Sequence, residues 1–167
     1  MFTEKTYINP KIEIKNSSIS GKGMFAKEDI LKHEVIIKWG GEFLTTKEAK
    51  KKESQGFLII QIDDDLWSVE KYGEFEEDYF INHSCDSNCW MVDGKTFTAR
   101  NNINKGEEIT VDYSLFESED YISQWECKCG LDNCRKKITG KDCLISDVQK
   151  QYRFHFSPVV QKRIEKS

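Results

Sequence analysis

Two prolines in 167 residues are too few for a collagen-like, mucin-like or Pro-rich low-complexity chain. No apolar run approaches the ~18 residues that cross a bilayer, so no membrane-spanning helix is expected. The opening Met1-Phe2-Thr3-Glu4-Lys5 lacks the apolar stretch of a signal peptide, and the expectation is an intracellular chain, in cytoplasm or nucleus. A basic surplus is missing too. The 25 Lys and Arg against 29 Asp and Glu leave a formal charge of −4, which argues against direct nucleic-acid binding. No cysteine precedes Cys85, and no internal repeat is visible.

What the chain does have is aromatic side chains. Its 10 Phe, 6 Tyr and 4 Trp are far too many for long-range disorder. With 38% hydrophobic residues, this length makes one domain with a core of its own. Charge is unevenly spread: eight acids face one lysine from Asp63 to Asp78, and nine Lys and Arg face three acids from Cys134 onward. Both stretches can be solvated faces, and the acidic one can also attract a basic partner. Six cysteines in a reducing compartment do not read as three disulfides. Four of them crowd between Cys127 and Cys143, which favours metal over redox chemistry.

The first half reads as short strands punctuated by turns. Ile12 and Ile14 alternate with charged residues, and Val35 to Trp39 is a β-rich run closed by Gly40-Gly41. Thr45 or Thr46 can cap a short polar helix through Ser54, with Glu48 reaching back. Phe57 to Ile62 and Leu66 to Val69 pair across the Asp63–Asp65 turn, and Asp93-Gly94 joins a second hairpin because both residues tolerate positive φ. Ile109 to Tyr113 is one more strand. Helical spacing follows at Leu144 to Arg153 and at Pro158 to Ile164, where Ser157 is the cap. The expected class is mainly β, a β-rich α+β domain with a cysteine module and terminal helices.

Cys127-Lys128-Cys129-Gly130-Leu131-Asp132-Asn133-Cys134 places three thiols around a glycine turn, where they can converge on one tetrahedral zinc ion. The fourth ligand is open among Cys85, Cys89 and Cys143, of which Cys143 is nearest in sequence. Asn82-His83-Ser84-Cys85 is dense in hydrogen-bonding side chains, and alternation lets His83 and Cys85 face one way. Gly21-Lys22-Gly23 lacks the third glycine and following helix of a dinucleotide fingerprint.

Taken in order, Gly21-Lys22-Gly23, Asn82-His83-Ser84-Cys85, Glu108-Ile109-Thr110-Val111-Asp112-Tyr113 and the cysteine triplet resemble the SET-domain protein-lysine methyltransferases with their post-SET cysteine segment. The resemblance covers roughly residues 11 to 139 and implies a catalytic domain over 11–114, a zinc segment over 123–139 and C-terminal helices over 144–165 packed on the same domain. It implies a fold of small curved sheets with a C-terminal pseudoknot. It implies S-adenosylmethionine held by Lys22, Gly23, Met24, Asn82, His83 and Tyr113, with Trp125 on the adenine. Tyr113 would be catalytic, and Trp39, Val111 and Tyr113 would line the substrate channel. Cys85 would join Cys127, Cys129 and Cys134 on one structural zinc, displacing Cys143.

The implied chemistry is in-line methyl transfer to a neutral lysine amine. A free lysine near neutral pH is only about one part in a thousand neutral, and an apolar channel beside a sulfonium shifts that balance. The acidic surface, including Glu74, Glu76 and Glu77, or Glu117, Glu119 and Asp120, then suits a basic lysine-bearing substrate, a histone or another protein. Some positions depart from the family pattern. Trp39-Gly40-Gly41-Glu42 stands where Tyr-x-Gly-Glu is common, Tyr79-Phe80-Ile81 where Arg-Phe is common, and Val111 where Phe or Tyr is usual. Cys89 and Cys143 are expected as packed thiols, and His33 and His155 as structural or exposed. The alternative reading is a catalytically inactive SET-like zinc module that binds a basic protein.

Overall fold

Alternation of apolar and polar side chains is short-ranged in this sequence, and the strands it produces are short as well. The computed structural model describes residues 2–71 and 77–167. In chain order its strands are β1 (Phe2–Glu4), β2 (Tyr7–Ile8), β3 (Ile12–Asn16), β4 (Lys22–Ala26), β5 (Val35–Lys38) and β6 (Gly41–Leu44). Helix α1 (Thr46–Glu53) intervenes before β7 (Phe57–Asp63), β8 (Leu66–Lys71), β9 (Asn82–His83), β10 (Cys89–Met91), β11 (Thr96–Ala99) and β12 (Glu108–Val111). Helices α2 (Ser146–Gln151) and α3 (Pro158–Glu165) close the chain. The strands form three small sheets, ordered β1-β6-β8-β7, β10-β11-β5-β2 and β3-β4-β12-β9. This is the mainly β architecture expected from the sequence. Among the described residues no helix is long and apolar enough to cross a membrane.

Local chemistry explains most of these elements. The Glu48 carboxylate accepts from both the backbone N–H and the hydroxyl of Thr45, at 3.1 and 2.7 Å, so the start of α1 is capped as the sequence predicts. Ser157 accepts from the Val160 N–H at 3.3 Å, with Pro158 in the first turn of α3. The helix expected from Leu144 begins later, because Asp142–Leu144 form a tight 3-10 turn. The Asp93-Gly94 hairpin forms for a different reason from the expected one. Neither residue has a positive φ. Instead the Asp93 carboxylate accepts from Lys95 N–H and Thr96 N–H at 2.8 and 2.6 Å, and a Cβ at position 94 would strike the Ile62 carbonyl.

One main core joins the sheets to the C-terminal helices. Met24, Ile36, Phe97 and Ile109 from the sheets share it with Val148, Tyr152, Phe156 and Val160. Tyr152 is fully buried, and its hydroxyl accepts from the Ser87 N–H at 3.0 Å, tying α2 to the loop after β9. The decisive contact for function is the parallel pairing of β9 with β12, which sets Asn82 opposite Thr110 and His83 opposite Val111. The next residues, Tyr113–Leu115, turn sharply, with the Asp112 carboxylate accepting from Ser114 N–H at 3.0 Å.

Gly140 shows how tightly the following segment is laid down. A Cβ there would overlap the Ser118 carbonyl, and its N–H bonds to Tyr121 O at 3.0 Å. Gly140→Ala should lower the stability read by urea unfolding by about 1–3 kcal/mol, the usual cost of overpacking. Gly106→Ala, with positive φ but open space around its Cβ position, should lose only the backbone term, about 1–2 kcal/mol.

Candidate functional site: a cleft beside a four-thiol cluster

The β9–β12 ladder brings together groups 30 residues apart in the chain: the Tyr113 N–H donates to His83 Nδ1 at 3.2 Å. Because Nδ1 accepts, the ring proton sits on Nε2, which lies 3.4 Å from Cys85 Sγ. Burial drops the His83 pKa to about 4, and although Asp112 lies 3.8 Å from Nδ1, the ring is neutral at pH 7. Asp112 spends its charge elsewhere. Its fully buried carboxylate takes two bonds from Arg135 Nη2, at 2.6 and 2.7 Å. Arg135 Nε also stands 3.4 Å from Asp142 Oδ2, a charge contact without hydrogen-bond alignment.

A cleft of about 1100 Å³ opens over this assembly, lined among others by Lys22, Trp39, Asn82, His83, Tyr113 and Trp125. Its inner wall is aromatic. Tyr113 lies 5.2 Å from His83, 5.6 Å from Phe116 and 6.0 Å from Trp125, centroid to centroid. Trp39 meets Phe116 edge-on at 5.1 Å from beneath. The Tyr113 hydroxyl donates to Ile81 O at 3.0 Å, and burial pushes the phenol above the ordinary tyrosine range.

The opposite rim is polar. Asn82 Nδ2 donates to Glu108 Oε1 at 2.7 Å and to Lys22 O at 3.0 Å, while Ser17 Oγ donates to the same carboxylate at 2.7 Å. A Cβ at Gly23 would collide with the Glu108 carboxylate and crowd Asn82, so any larger residue there would displace this contact. The backbone of the Gly21-Lys22-Gly23 segment is thereby held against β9.

Not every candidate residue reaches the cleft surface. Gly23 packs beneath the Asn82–Glu108 contact and Met24 is fully buried, and neither is among the residues that line the cleft. Val111, expected in the channel wall, is fully buried in the main core at the end of β12 and is not among the residues that line the cleft. Sequence reasoning passed over Arg135, Tyr152 and the Ser17–Glu108 pair. Only Arg135, directly after Cys134, carried a local signal.

The four thiols of Cys85, Cys127, Cys129 and Cys134 lie within 4.8 Å of one another. A tetrahedral ion with metal–sulfur bonds of ~2.3 Å needs thiols ~3.8 Å apart, so the cluster fits one metal ion. Spacing in the sequence favoured Cys143 as nearest; in space Cys143 is instead fully buried beside Gly140 O, at 3.3 Å, and Cys89 is buried in the core. Burial pushes the Cys85 and Cys127 thiols up; backbone donors at Cys85 and Leu131 overcome burial at Cys129 and hold it at about 7. A cation at the centre would let all four ionise together.

The acidic stretch divides. Asp63 and Asp64 pair with Lys162 of α3 at 3.1 and 2.7 Å, and Asp65 accepts from Thr46 N–H at 2.8 Å. These acids are exposed at the surface and engaged with α1 and α3. Glu74 and Glu76 lie outside the described residues, and Asp78 and Asp120 line the cleft.

Fold and site together define a small β-rich domain with an aromatic cleft braced against a metal-ready thiol cluster. A family model for the SET domain matches residues 21–114. The chain is 33% identical over 139 residues to histone-lysine N-methyltransferase trr of Drosophila melanogaster, covering 75% of this chain and 6% of that protein. It is 32% identical over 139 residues to histone-lysine N-methyltransferase 2B of Homo sapiens, covering 75% and 5%. With histone-lysine N-methyltransferase ASHR3 of Arabidopsis thaliana the identity is 29% over 172 residues, covering 91% and 34%. The chain spans at most 34% of the length of these three relatives. It belongs to the SET-domain family.

The Asp112–Arg135 pair offers a direct test of how the thiol segment is coupled to the cleft. Arg135→Met leaves a buried carboxylate without its cation, and stability measured by urea unfolding should fall by about 3–5 kcal/mol. Arg135→Lys should recover only part of it, since a shorter side chain with one nitrogen cannot reach Asp112 and also keep the Nε contact with Asp142.

Proposed function

We propose that the chain is an S-adenosylmethionine-dependent protein-lysine N-methyltransferase acting on a histone lysine or another basic protein. The observation that carries this reading is the placement of Tyr113, with Asn82 and His83, at the wall of one aromatic cleft. S-adenosylmethionine supplies an electrophilic methyl group on a sulfonium. Lys22, Asn82, His83 and Trp125 are the cleft residues suited to hold it, through the β4 backbone, the β9 pair and the exposed indole.

The protein's own contribution is to position a neutral amine. The aromatic wall of Trp39, Phe116 and Tyr113 disfavours an ammonium by desolvation. Tyr113 directs its hydroxyl hydrogen to the Ile81 carbonyl, so its oxygen presents lone pairs. That oxygen accepts an amine N–H and turns the nitrogen lone pair toward the methyl group, and such alignment of bound reactants carries a large share of the rate. Cys85, Cys127, Cys129 and Cys134 hold a structural zinc ion, a closed set that clamps the cysteine segment beside the cleft. Soft thiolate ligands favour zinc, and a reducing intracellular setting keeps them free to bind it.

Incubated with labelled S-adenosylmethionine and a panel of histones and other basic proteins, the chain should transfer label to lysine. Tyr113→Phe should reduce kcat by roughly 10²-fold or more with little change in cofactor affinity. Absence of transfer to every protein across a range of pH would refute the reading and favour an inactive binding module. Metal analysis should find one zinc per chain. Cys85→Ser should lose it and Cys143→Ser should keep it; equal zinc content in both variants would overturn the ligand assignment.

A further inference from the structure

Methyl transfer to lysine releases a proton, and the residues of the aromatic wall are poorly placed to take it. The Tyr113 phenol is buried and fully protonated, with its hydrogen committed to Ile81 O. His83 has Nδ1 occupied by the Tyr113 N–H and Nε2 directed at Cys85. One other acid enters the same cleft from the same turn. Phe116 N–H and Glu117 N–H both bond to Tyr113 O, at 3.2 and 3.0 Å, so Glu117 follows the tyrosine by a single turn and lines the cleft with it.

The Glu117 carboxylate takes a hydrogen bond from the Ser118 backbone N–H, which leaves further acceptor capacity on its two oxygens. Arg163 of α3 donates from Nη1 and Nη2 to the Glu117 backbone carbonyl, each at 3.2 Å, and from Nη1 to Gly140 O at 2.7 Å. The guanidinium thus pins the backbone. Among the described residues no cation forms an ion pair with the Glu117 side chain. The ionisable groups facing it from its own segment are Tyr113 and Tyr121. Around the rest of the cleft stand Lys50 and Glu53 on α1, which pair at 3.0 Å, Glu70 on β8, Asp78 and Tyr79 after the undescribed residues, Lys22 on β4, and Asp120, Glu126 and Lys128 beyond it.

On the methyltransferase reading, we infer that Glu117 receives the proton of the incoming lysine ammonium. An N–H bond of the ammonium breaks, its electron pair stays on nitrogen, and the proton passes to a Glu117 carboxylate oxygen. The nitrogen pair then forms the N–CH₃ bond as the C–S bond breaks and its pair returns to sulfur. Glu117 afterwards gives its proton to water at the open side of the cleft. Burial raises the Glu117 pKa to about 7, which lets the carboxylate take a proton better than an ordinary glutamate while remaining ionised above neutrality.

The test is the pH dependence of kcat/KM for methyl transfer to a lysine peptide, with wild type and Glu117→Gln. The sign follows from the two ionisations. Wild type requires ionised Glu117 and an ammonium, so its profile should rise to about pH 7, stay level, and fall only above the lysine pKa of ~10.4. Glu117→Gln requires the free amine, so it should be roughly 10²-fold slower at pH 7 and climb tenfold per pH unit toward the lysine pKa of ~10.4. Glu117→Asp should restore a plateau, and S-adenosylmethionine affinity should be unchanged in both variants. A Glu117→Gln profile that matches wild type, or lies below it by the same factor at every pH, would overturn the inference while leaving the methyltransferase reading intact. A wild type that methylates nothing fails that reading itself and takes this inference with it.

Discussion

A carboxylate with no exposure to water is costly unless every lone pair is engaged, and Asp112 is such a group. Arg135 supplies two bonds to it and the Ser114 N–H a third. The position of this pair gives it reach. Asp112 immediately precedes Tyr113, and Arg135 immediately follows Cys134. The Arg135 N–H also lies 3.4 Å from Cys85 Sγ, so one residue touches the strand end, the thiol cluster and the loop after β9. Moving the cysteine segment away from the cleft would strip the cation from Asp112. The segment and the tyrosine therefore share one position.

His83 forms the second strut. Its two ring nitrogens address Tyr113 on one side and Cys85 on the other, and the ring is neutral because burial outweighs the nearby Asp112. Asn82, its neighbour, points to the other face of the short strand and ties β4 to β12 through Glu108. Two adjacent residues thus serve two layers: one braces the thiols and the aromatic wall, the other fixes the polar rim. The collision that a Cβ at Gly23 would cause with Glu108 shows how closely that rim is packed.

The parts of this architecture that follow from local chemistry were legible in the sequence. The capping of α1, the Asp63–Asp65 hairpin and the Ser157-Pro158 helix start each depend on residues a few positions apart. The β9–β12 ladder was legible only through resemblance, since strands of two and four residues carry little periodic signal. The fourth thiol was open for the same reason: ligand sets close in space, and proximity in sequence pointed to Cys143. Val111 illustrates a further limit. A continuous strand would turn Val111 and Tyr113, two residues apart, to one face, but β12 ends at Val111 and Tyr113 opens a tight turn, so Val111 stays in the core. The Asp63–Asp65 acids are exposed, as a solvated face should be, but they also meet Thr46 and Lys162, partners that lie far away in the chain and carry no local signal.

A closed set of four thiols has no coordination position left for a reacting group. Whatever an ion held there contributed at the cleft would have to pass through the protein, and the routes are the two just described. His83 carries a hydrogen-bonded path from Cys85 to the Tyr113 backbone, and Arg135 carries an ionic one from the cysteine segment to Asp112. Both end on the residues that set where Tyr113 sits. The turn after Tyr113 is pinned separately, by Arg163 on the Glu117 carbonyl and by the close approach of Gly140 to Ser118. The aromatic wall is therefore held from two independent directions, by the thiol cluster on one side and by the C-terminal helix on the other. Such double support fixes the aromatic wall on a chain whose strands are individually too short to be stable alone.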